Sequence, residues 1–409
     1  MSLNTSSRIL ARINFIFAIL FVFLLPFNNR YITYLIIVWT VVSIILARIN
    51  KTGIKEILRS SLLFLIFYLI SLFSLIYSED LNYGIKNLET WVSLIIMPFL
   101  LLTLRKTTVK ENLKYLINTF IIGLLLYIVI TLTIFLIKTD IKSLISSLGT
   151  FSFTDYARYF SLSYFQHESY ISMYFVWGII LIINRLFQEK RFKYIILELC
   201  LVLVFSFYIV LLGSRAALLT LLIVTIYYIW KLLRGFSFWV SIISTSLVLI
   251  LLIVGMLNYT RIGETMKRNE KNSTTEIRIS LWSDAFEVFK DAPLFGYGIG
   301  DGLNKMIDKH NENGNTKAGL LRLNAHNQYL ETATQTGIVG LVSLFLILLI
   351  PLIISIRDRY ELLFLCIVII SINFLFESML VRLTGVLFLA FWLNFLLIIP
   401  NISESEMNY

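Results

Sequence analysis

The sequence is poor in charged residues, cysteine and histidine. Only 15% of its 409 residues are charged, whereas soluble globular chains average about 25%, so the composition excludes an ordinary soluble protein. The two cysteines, Cys200 and Cys366, both lie within apolar runs, which excludes a disulfide framework and a thiolate metal site. The chain has three histidines, and no two of them have the spacing of metal ligands. We therefore expect no metal and no cofactor.

Apolar residues dominate instead, and they form long runs. Hydrophobic residues make up 58% of the chain, and its mean hydropathy is +0.83. Runs of about 18 residues or more recur, and each can cross the roughly 30 Å of a bilayer's hydrocarbon as a helix. The sequence predicts an all-α, polytopic transmembrane bundle of about twelve spans. The predicted spans are 9–27, 31–48, 59–77, 86–104, 115–137, 168–184, 194–212, 215–230, 236–258, 328–355, 360–377 and 380–399.

The basic residues predict the orientation of these spans. Arg8 and Arg12 precede the first apolar run without a small-residue cleavage site after it, so we expect a first transmembrane helix and not a cleaved signal. Lys and Arg are more frequent in the short segments that would face the cytoplasm. We expect both termini to be cytoplasmic, in a bacterial inner membrane. The net charge of +10 then comes mostly from loops, so the expected partner is the lipid bilayer and not a nucleic acid.

The same pattern predicts a single membrane domain, 1–409, with one large periplasmic loop. Its parts are the first nine transmembrane helices (1–258), the loop (259–327), the last three helices (328–399) and a cytoplasmic tail (400–409). Within the loop, apolar residues at helical spacing predict an amphipathic helix that lies against the bundle or the membrane surface. These residues are Ile277, Leu281, Trp282, Ala285, Phe286, Val288 and Phe289.

A glycine-rich stretch, "GYGIGDG", follows that helix at Gly296–Gly302. It imitates a phosphate-binding loop, but it lacks a preceding strand and a following Lys-Ser/Thr pair. A turn is therefore favoured over a nucleotide site.

Three residues could carry chemistry on the predicted outer face. Arg215 and Arg278 could bind phosphate, because a guanidinium forms paired hydrogen bonds to phosphate oxygens and keeps its charge. The alternatives are an interfacial anchor for Arg215 and a solvated charge for Arg278. His326, at the border of the loop and the tenth span, could accept a proton from a hydroxyl at neutral pH. Its alternative is a packed, hydrogen-bonded histidine.

Other polar residues stand at predicted outer ends of spans. His167 and Tyr170 could be substrate contacts or interfacial caps. Glu377 and Arg382 could form a structural ion pair or contact an acceptor or a phosphate.

Three stretches resemble the motif pattern of the O-antigen ligase/polymerase family of polytopic membrane glycosyltransferases. They are "GSRAALL" before a span, "RISLWSDAFEVFKDAPLFGYGIGDG" in the long loop, and "AHNQYLETATQTGIVGL" entering the next span. The core of the resemblance covers about 200–345 of the chain. The residues that match the pattern are Arg215, Arg278, Trp282, Ala285, Pro293, Gly296, Gly298, His326 and Asn327.

This resemblance implies a GT-C-type fold and a glycan donor linked to a polyprenyl diphosphate. It implies transfer to a sugar hydroxyl on the periplasmic face, without a nucleotide sugar or a divalent metal and with inversion at the anomeric carbon. Arg215 and Arg278 would bind the diphosphate, His326 would act as general base, and Asn327 would contact substrate. The most favoured reaction is O-antigen ligation to lipid A–core, as part of lipopolysaccharide biosynthesis. A repeat-unit polymerase and a transporter or flippase for lipid-linked glycans are the alternatives.

Overall fold

A computed structural model describes residues 5–27, 30–108, 112, 114–138, 164–187, 191–233 and 274–398. These residues form helices and the turns that join them, and no β-strand occurs among them. The helices before residue 234 are α1 (Thr5–Leu24), α2 (Arg30–Ile49), α3 (Ile54–Phe73), α4 (Leu81–Thr107), α5 (Lys114–Lys138), α6 (Glu168–Leu186), α7 (Phe192–Leu212) and α8 (Arg215–Leu233). Those after residue 273 are α9 (Thr274–Asp291), α10 (Gly302–Glu312), α11 (Thr316–Leu320), α12 (Gln328–Arg357), α13 (Glu361–Phe376) and α14 (Leu383–Ile398).

The helices agree with the apolar runs of the sequence. Every predicted span that falls on described residues coincides with a helix, while the predicted span 236–258 lies outside the described residues. Nine of the described helices, α1–α8 and α12, are long and apolar enough to cross a membrane, and α13 and α14 are shorter apolar helices. The prediction of an all-α protein with many apolar helices is confirmed. The total of twelve spans stays a prediction.

The chain divides into two compact units. The first unit comprises Met1–Gly123 and Ile277–Tyr409, and the second comprises Leu124–Glu276. The single membrane domain, 1–409, stays a prediction. In the first unit α4 is the central helix, since it packs against α1, α2, α3 and α14. Aromatic rings fill the space between helices of this unit, in pairs such as Phe21–Trp39, Phe67–Trp91 and Phe120–Trp392.

A buried polar network joins α1, α2 and the last turns of α4. The side chain of Asn14 is fully buried. Its carbonyl oxygen accepts hydrogen bonds from Trp39 Nε1 (2.7 Å) and Ser43 Oγ (3.2 Å), and its amide donates to Thr107 Oγ1 (3.1 Å). Because a buried amide without partners costs about 1–3 kcal/mol, this network specifies how the three helices pack.

In the second unit α7 runs antiparallel to both α6 and α8. Arg185 near the end of α6 pairs with Glu198 near the start of α7 (2.9 Å). Phe187, just after α6, stacks on Tyr228 near the end of α8. Helices α6 and α8 are therefore parallel, and their first residues lie at the same end of this unit.

Helix α12 is broken at Gly337, whose backbone has φ 62° and ψ −158°. The break leaves backbone groups without helical partners, and the loop 293–298 supplies them. Tyr297 N donates to Thr334 O (3.0 Å), Gly298 N donates to Gln335 O (2.8 Å), and Ile338 N donates to Pro293 O (2.8 Å). The predicted turn at the glycine-rich stretch is thus present, and it fills a gap in a helix. Beyond the break, 338–357 is still long enough at 1.5 Å per residue to cross about 30 Å.

Candidate active site

The backbone around His326 is held in an uncommon conformation. His326 has φ 44°, in the left-handed region, which costs a residue other than glycine roughly 1–3 kcal/mol. The carboxamide of Asn324 accepts a hydrogen bond from His326 N (3.0 Å). The side chain of Asn327 then caps α12 by accepting from Tyr329 N (3.0 Å) and Leu330 N (3.2 Å). Asn327 is therefore an N-cap that fixes where the helix begins.

Glu377 contacts the imidazole of His326. The distance between His326 Nδ1 and Glu377 Oε1 is 2.9 Å, and the side chains are 28% and 7% exposed. With a carboxylate as its partner Nδ1 is the donor, which leaves Nε2 as the nitrogen that can accept a proton. His326, expected at the border of the loop and the tenth span, and Glu377, expected between the last two spans, thus form one pair.

The turn that carries Glu377 is tied to its neighbours on both sides. Leu380 O accepts a hydrogen bond from Trp91 Nε1 of α4 (2.7 Å), and Leu380 N donates to the side chain of Gln328 in α12 (2.7 Å). Ser378 Oγ donates to Glu331 Oε2 (3.3 Å). These bonds come from two helices, so the position of Glu377 is set by the packing of the first unit.

The first three turns of α12 are buried and polar. Gln328, Glu331, Thr334 and Gln335 are each at most 1% exposed. Such residues are not suited to a lipid-facing surface, because an unpaired polar group in hydrocarbon costs several kcal/mol. This part of α12 therefore belongs to the protein interior beside His326, and it does not face lipid.

Arg278 lies against the residue that precedes Glu377. Its guanidinium carbon is 6.0 Å from the ring centre of Phe376, the residue before Glu377. Trp282, one turn further along α9, is 6.5 Å from the same ring, measured between ring centres. One face of α9 therefore packs over Phe376. This contact brings the positive charge of Arg278 next to the turn that carries Glu377.

A neighbouring face of α9 packs on α10. Leu281, Ala285 and Val288 are buried there, as the amphipathic pattern predicted, whereas Phe286 is 47% exposed. Ala285 and Val288 share a cluster with Leu303, Met306 and Ala325. Since Ala325 precedes His326, this cluster also supports the histidine-bearing turn.

A buried acid on α9 binds the last turn of α10 and the polar stretch that follows it. Asp284 accepts from His310 Nδ1 (2.7 Å), Asn313 Nδ2 (2.6 Å) and Asn315 Nδ2 (2.7 Å). His310 is fully buried, and its Nε2 is 3.2 Å from Leu323 O. His310 is therefore a structural histidine that closes the segment onto α9.

The first unit also carries Arg382, which is exposed at the start of α14. Glu377, for which Arg382 was one expected ion-pair partner, bonds to His326.

The remaining candidates lie in the second unit. Arg215 is the first residue of α8 and follows Gly213, which ends α7 in the left-handed conformation (φ 65°). His167 caps α6, where its Nδ1 accepts from Ser169 N (3.4 Å). Tyr170 is buried, and its ring centre is 6.2 Å from that of His167. His167, Tyr170 and Arg215 therefore all lie at the end of this unit where α6 and α8 begin.

Sequence reasoning missed several residues that build the site. It did not select Gln328, Glu331 or Asp284, and it did not predict α10 and α11. A signal for Glu331 was present in the sequence, because Glu331 and Gln335 are one helical turn apart. Their run also holds Gln328 and three threonines, which makes it too polar for a lipid-facing helix.

The fold and the site together define a multi-pass membrane protein with a histidine–carboxylate pair at the start of a broken helix. Residues 199–345 match a family model described as O-antigen ligase. This segment, which contains Arg215, Arg278 and His326, is therefore similar to the O-antigen ligase family. The resemblance seen in the sequence over about 200–345 is thereby confirmed.

The chain is also similar to an uncharacterized protein of Haemophilus influenzae, with 32% identity over 94 residues. The match covers 23% of this chain and 23% of that protein. The chain thus matches less than a quarter of the length of this curated relative.

Proposed function

We propose that this protein is a membrane glycosyltransferase of the bacterial inner membrane. It transfers a glycan from a polyprenyl diphosphate to a sugar hydroxyl on the periplasmic face, and O-antigen ligation to lipid A–core is the favoured reaction. The hydrogen bond between His326 Nδ1 and Glu377 Oε1, at 2.9 Å, is the observation that best supports this proposal. A carboxylate that orients a partly exposed imidazole is the usual arrangement of a general base.

In the proposed reaction His326 Nε2 accepts the proton of the acceptor hydroxyl. The hydroxyl oxygen attacks the anomeric carbon as the bond from that carbon to the diphosphate oxygen breaks. The electron pair of that bond leaves with the diphosphate, and the configuration at the anomeric carbon inverts. Glu377 stabilises the imidazolium that forms.

Arg278 binds the diphosphate and stabilises the charge that develops on it, in the place that a divalent metal takes in other glycosyl transfers. The cation–π contact with Phe376 fixes the direction of its side chain. Arg215 is proposed for the same role on the family resemblance alone. Asn327 shapes the start of α12, while His167, Tyr170 and Arg382 stay proposed substrate contacts.

A transporter of lipid-linked glycans would also have broken helices, and α12 is one. Its break, however, is filled by backbone hydrogen bonds from the loop 293–298, which suits a rigid site better than a moving gate.

Purified protein in vesicles, given one lipid-linked glycan donor and lipid A–core, tests the proposal. A single glycan block added to the core supports ligation, and a ladder on the carrier lipid shows a polymerase instead. Movement of donor across the bilayer without a new glycosidic bond contradicts the enzyme proposal and supports the transporter.

A further inference from the structure

Glu331 is a buried carboxylate that the proposed reaction does not use. It lies in the second turn of α12 and is fully buried. Its Oε2 accepts hydrogen bonds from Ala325 N (3.2 Å) and Ser378 Oγ (3.3 Å), and its Oε1 accepts from Gln335 Nε2 (3.2 Å). Burying an acid is costly unless its oxygens are hydrogen-bonded, so these three donors are what allows it to remain there.

Two of the three donors belong to the segments that carry the proposed general base and its partner. Ala325 is the residue before His326, and Ser378 is the residue after Glu377. A single oxygen, Glu331 Oε2, therefore joins two segments that are about fifty residues apart in the chain. The same segments also meet at the His326–Glu377 pair and at the bond from Leu380 N to Gln328. Glu331 Oε2 differs from these contacts in that it binds both the residue before His326 and the residue after Glu377.

We propose that Glu331 is a positioning residue that holds His326 and Glu377 at hydrogen-bonding distance. This inference rests on the proposed function for its kinetic consequences but not for its geometry. Without Glu331 the left-handed backbone at His326 (φ 44°) loses a support on its preceding residue, and the turn at Glu377 loses a support on its following residue. A displacement of about 1 Å at a reacting group can lower a rate about 100-fold.

The conservative variant Glu331→Gln separates positioning from chemistry. A glutamine oxygen in place of Oε2 still accepts from Ala325 N and Ser378 Oγ. Its new amide group faces Gln335, whose Oε1 is buried and has no hydrogen-bond partner among the described residues. Rotating the Gln335 amide by half a turn presents that oxygen to the new donor. Glu331→Gln therefore keeps the network, whereas Glu331→Ala removes it.

The first measurement does not depend on activity. The nitrogen NMR spectrum of histidine-labelled protein, recorded at alkaline pH where imidazoles are neutral, shows which ring nitrogen carries the proton. The His326→Ala variant assigns the signal. We expect wild type and Glu331→Gln to hold the proton on Nδ1, facing Glu377, and Glu331→Ala to lose this preference. An unchanged His326 signal in Glu331→Ala overturns the proposal.

The second measurement is steady-state transfer kinetics. We expect kcat of Glu331→Ala to fall about 100-fold with KM for the donor within about twofold, and Glu331→Gln to stay within about threefold of wild type because its hydrogen bonds remain. A Glu331→Gln variant as inactive as Glu331→Ala overturns the proposal, because the acid would then act through its charge.

Asn14→Ala is the matched control for a loss of buried polar contacts. It removes hydrogen bonds to α2 and to Thr107, and Thr107 is about 24 Å along α4 from Trp91 at 1.5 Å per residue. We expect Asn14→Ala to lower the unfolding temperature as Glu331→Ala does, with kcat little changed. If Asn14→Ala and Glu331→Ala lose kcat equally, Glu331 only stabilises the fold and the positioning proposal is overturned. If wild type transfers no glycan at all, the proposed function fails, and the NMR comparison still tests Glu331.

Discussion

At the scale of single residues, the proposed chemistry depends on a strained histidine, a carboxylate and an arginine. His326 has a left-handed backbone, and strain of this kind persists only where the surroundings fix it. Here Asn324, Asn327 and the bond to Glu377 do so. Arg278 adds a charge that cannot be titrated away at physiological pH. This combination suits the transfer of a group whose leaving group is an anion.

Arg278→Ala should lower the rate of glycan transfer by about 100- to 1000-fold, as removal of one charge-stabilising donor does in other enzymes. Arg278→Lys should recover part of the rate, because lysine restores the charge but not the paired hydrogen bonds. Lys290→Ala, in the last turn of the same helix, is the matched control and should transfer at the wild-type rate. Equal rates for Arg278→Ala and Lys290→Ala would rule out Arg278 as a diphosphate ligand.

At this scale the sequence indicated candidate residues, but it did not indicate which residues they form hydrogen bonds with. His326 and Arg278 were selected, because a histidine at a loop–helix border and a basic residue in the first turn of a helix are unusual choices. The pairing of His326 with Glu377 was not predicted, since it joins residues 51 positions apart in the chain. Glu331 was missed for the same reason, because its partners Ala325 and Ser378 meet only after α12 and α13 have packed.

At the scale of elements, the break in α12 and the loop that fills it form one structure. Gly337 takes a positive φ (62°), and a side chain there would collide with the carbonyl of Leu294. Gly296 has φ 67°, and its added Cβ would lie 2.6 Å from the carbonyl carbon of Gln335. The two glycines therefore allow the backbones of the loop and the helix to approach each other, which explains the glycine-rich stretch without any nucleotide.

Gly337→Ala should lower the unfolding temperature of the protein in detergent more than Gly314→Ala does. Both glycines have positive φ, but an added Cβ at Gly314 meets nothing within 4 Å. Gly314→Ala should thus cost only the backbone strain, about 1–2 kcal/mol, while Gly337→Ala adds a collision with backbone that cannot move aside. Similar unfolding temperatures for the two variants would show that the loop does not pack into the break as described.

The sequence located helices well and located their interruptions poorly. Apolar runs predicted α1–α8 and α12–α14, because the membrane demands that such runs be helical. The break at Gly337 lies inside one continuous predicted span, 328–355, since periodicity does not reveal where another segment supplies the missing hydrogen bonds. Helices α10 and α11 escaped prediction because they are short and polar. Asp284, which binds His310 in α10 and Asn315 just before α11, is distant from them in sequence.

At the scale of the whole molecule, orientation in the membrane decides which compartment the site faces. The distribution of Lys and Arg predicts that 259–327 is periplasmic and that the segment after α12 is cytoplasmic. Helix α12 joins these two segments, and 338–357 is long enough to separate them by a bilayer.

Cysteine labelling tests this orientation with two exposed positions on either side of α12. In a variant lacking the exposed Cys200, Ser283→Cys should react with a membrane-impermeant maleimide in intact spheroplasts. Asp358→Cys, also exposed, should react only after the membrane is made permeable. The reverse pattern would place the site in the cytoplasm and exclude a periplasmic glycosyltransferase.

The central claim is that His326, oriented by Glu377, takes the proton from the acceptor hydroxyl. The most direct test is the rate of glycan transfer as a function of pH for reconstituted wild type and His326→Ala. Wild-type transfer should fall as the pH is lowered, because a protonated imidazole cannot accept a further proton. His326→Ala should be slower by about 100- to 10,000-fold and should lack this acidic limb. A His326→Ala protein that keeps the wild-type rate and the same acidic limb would contradict the claim.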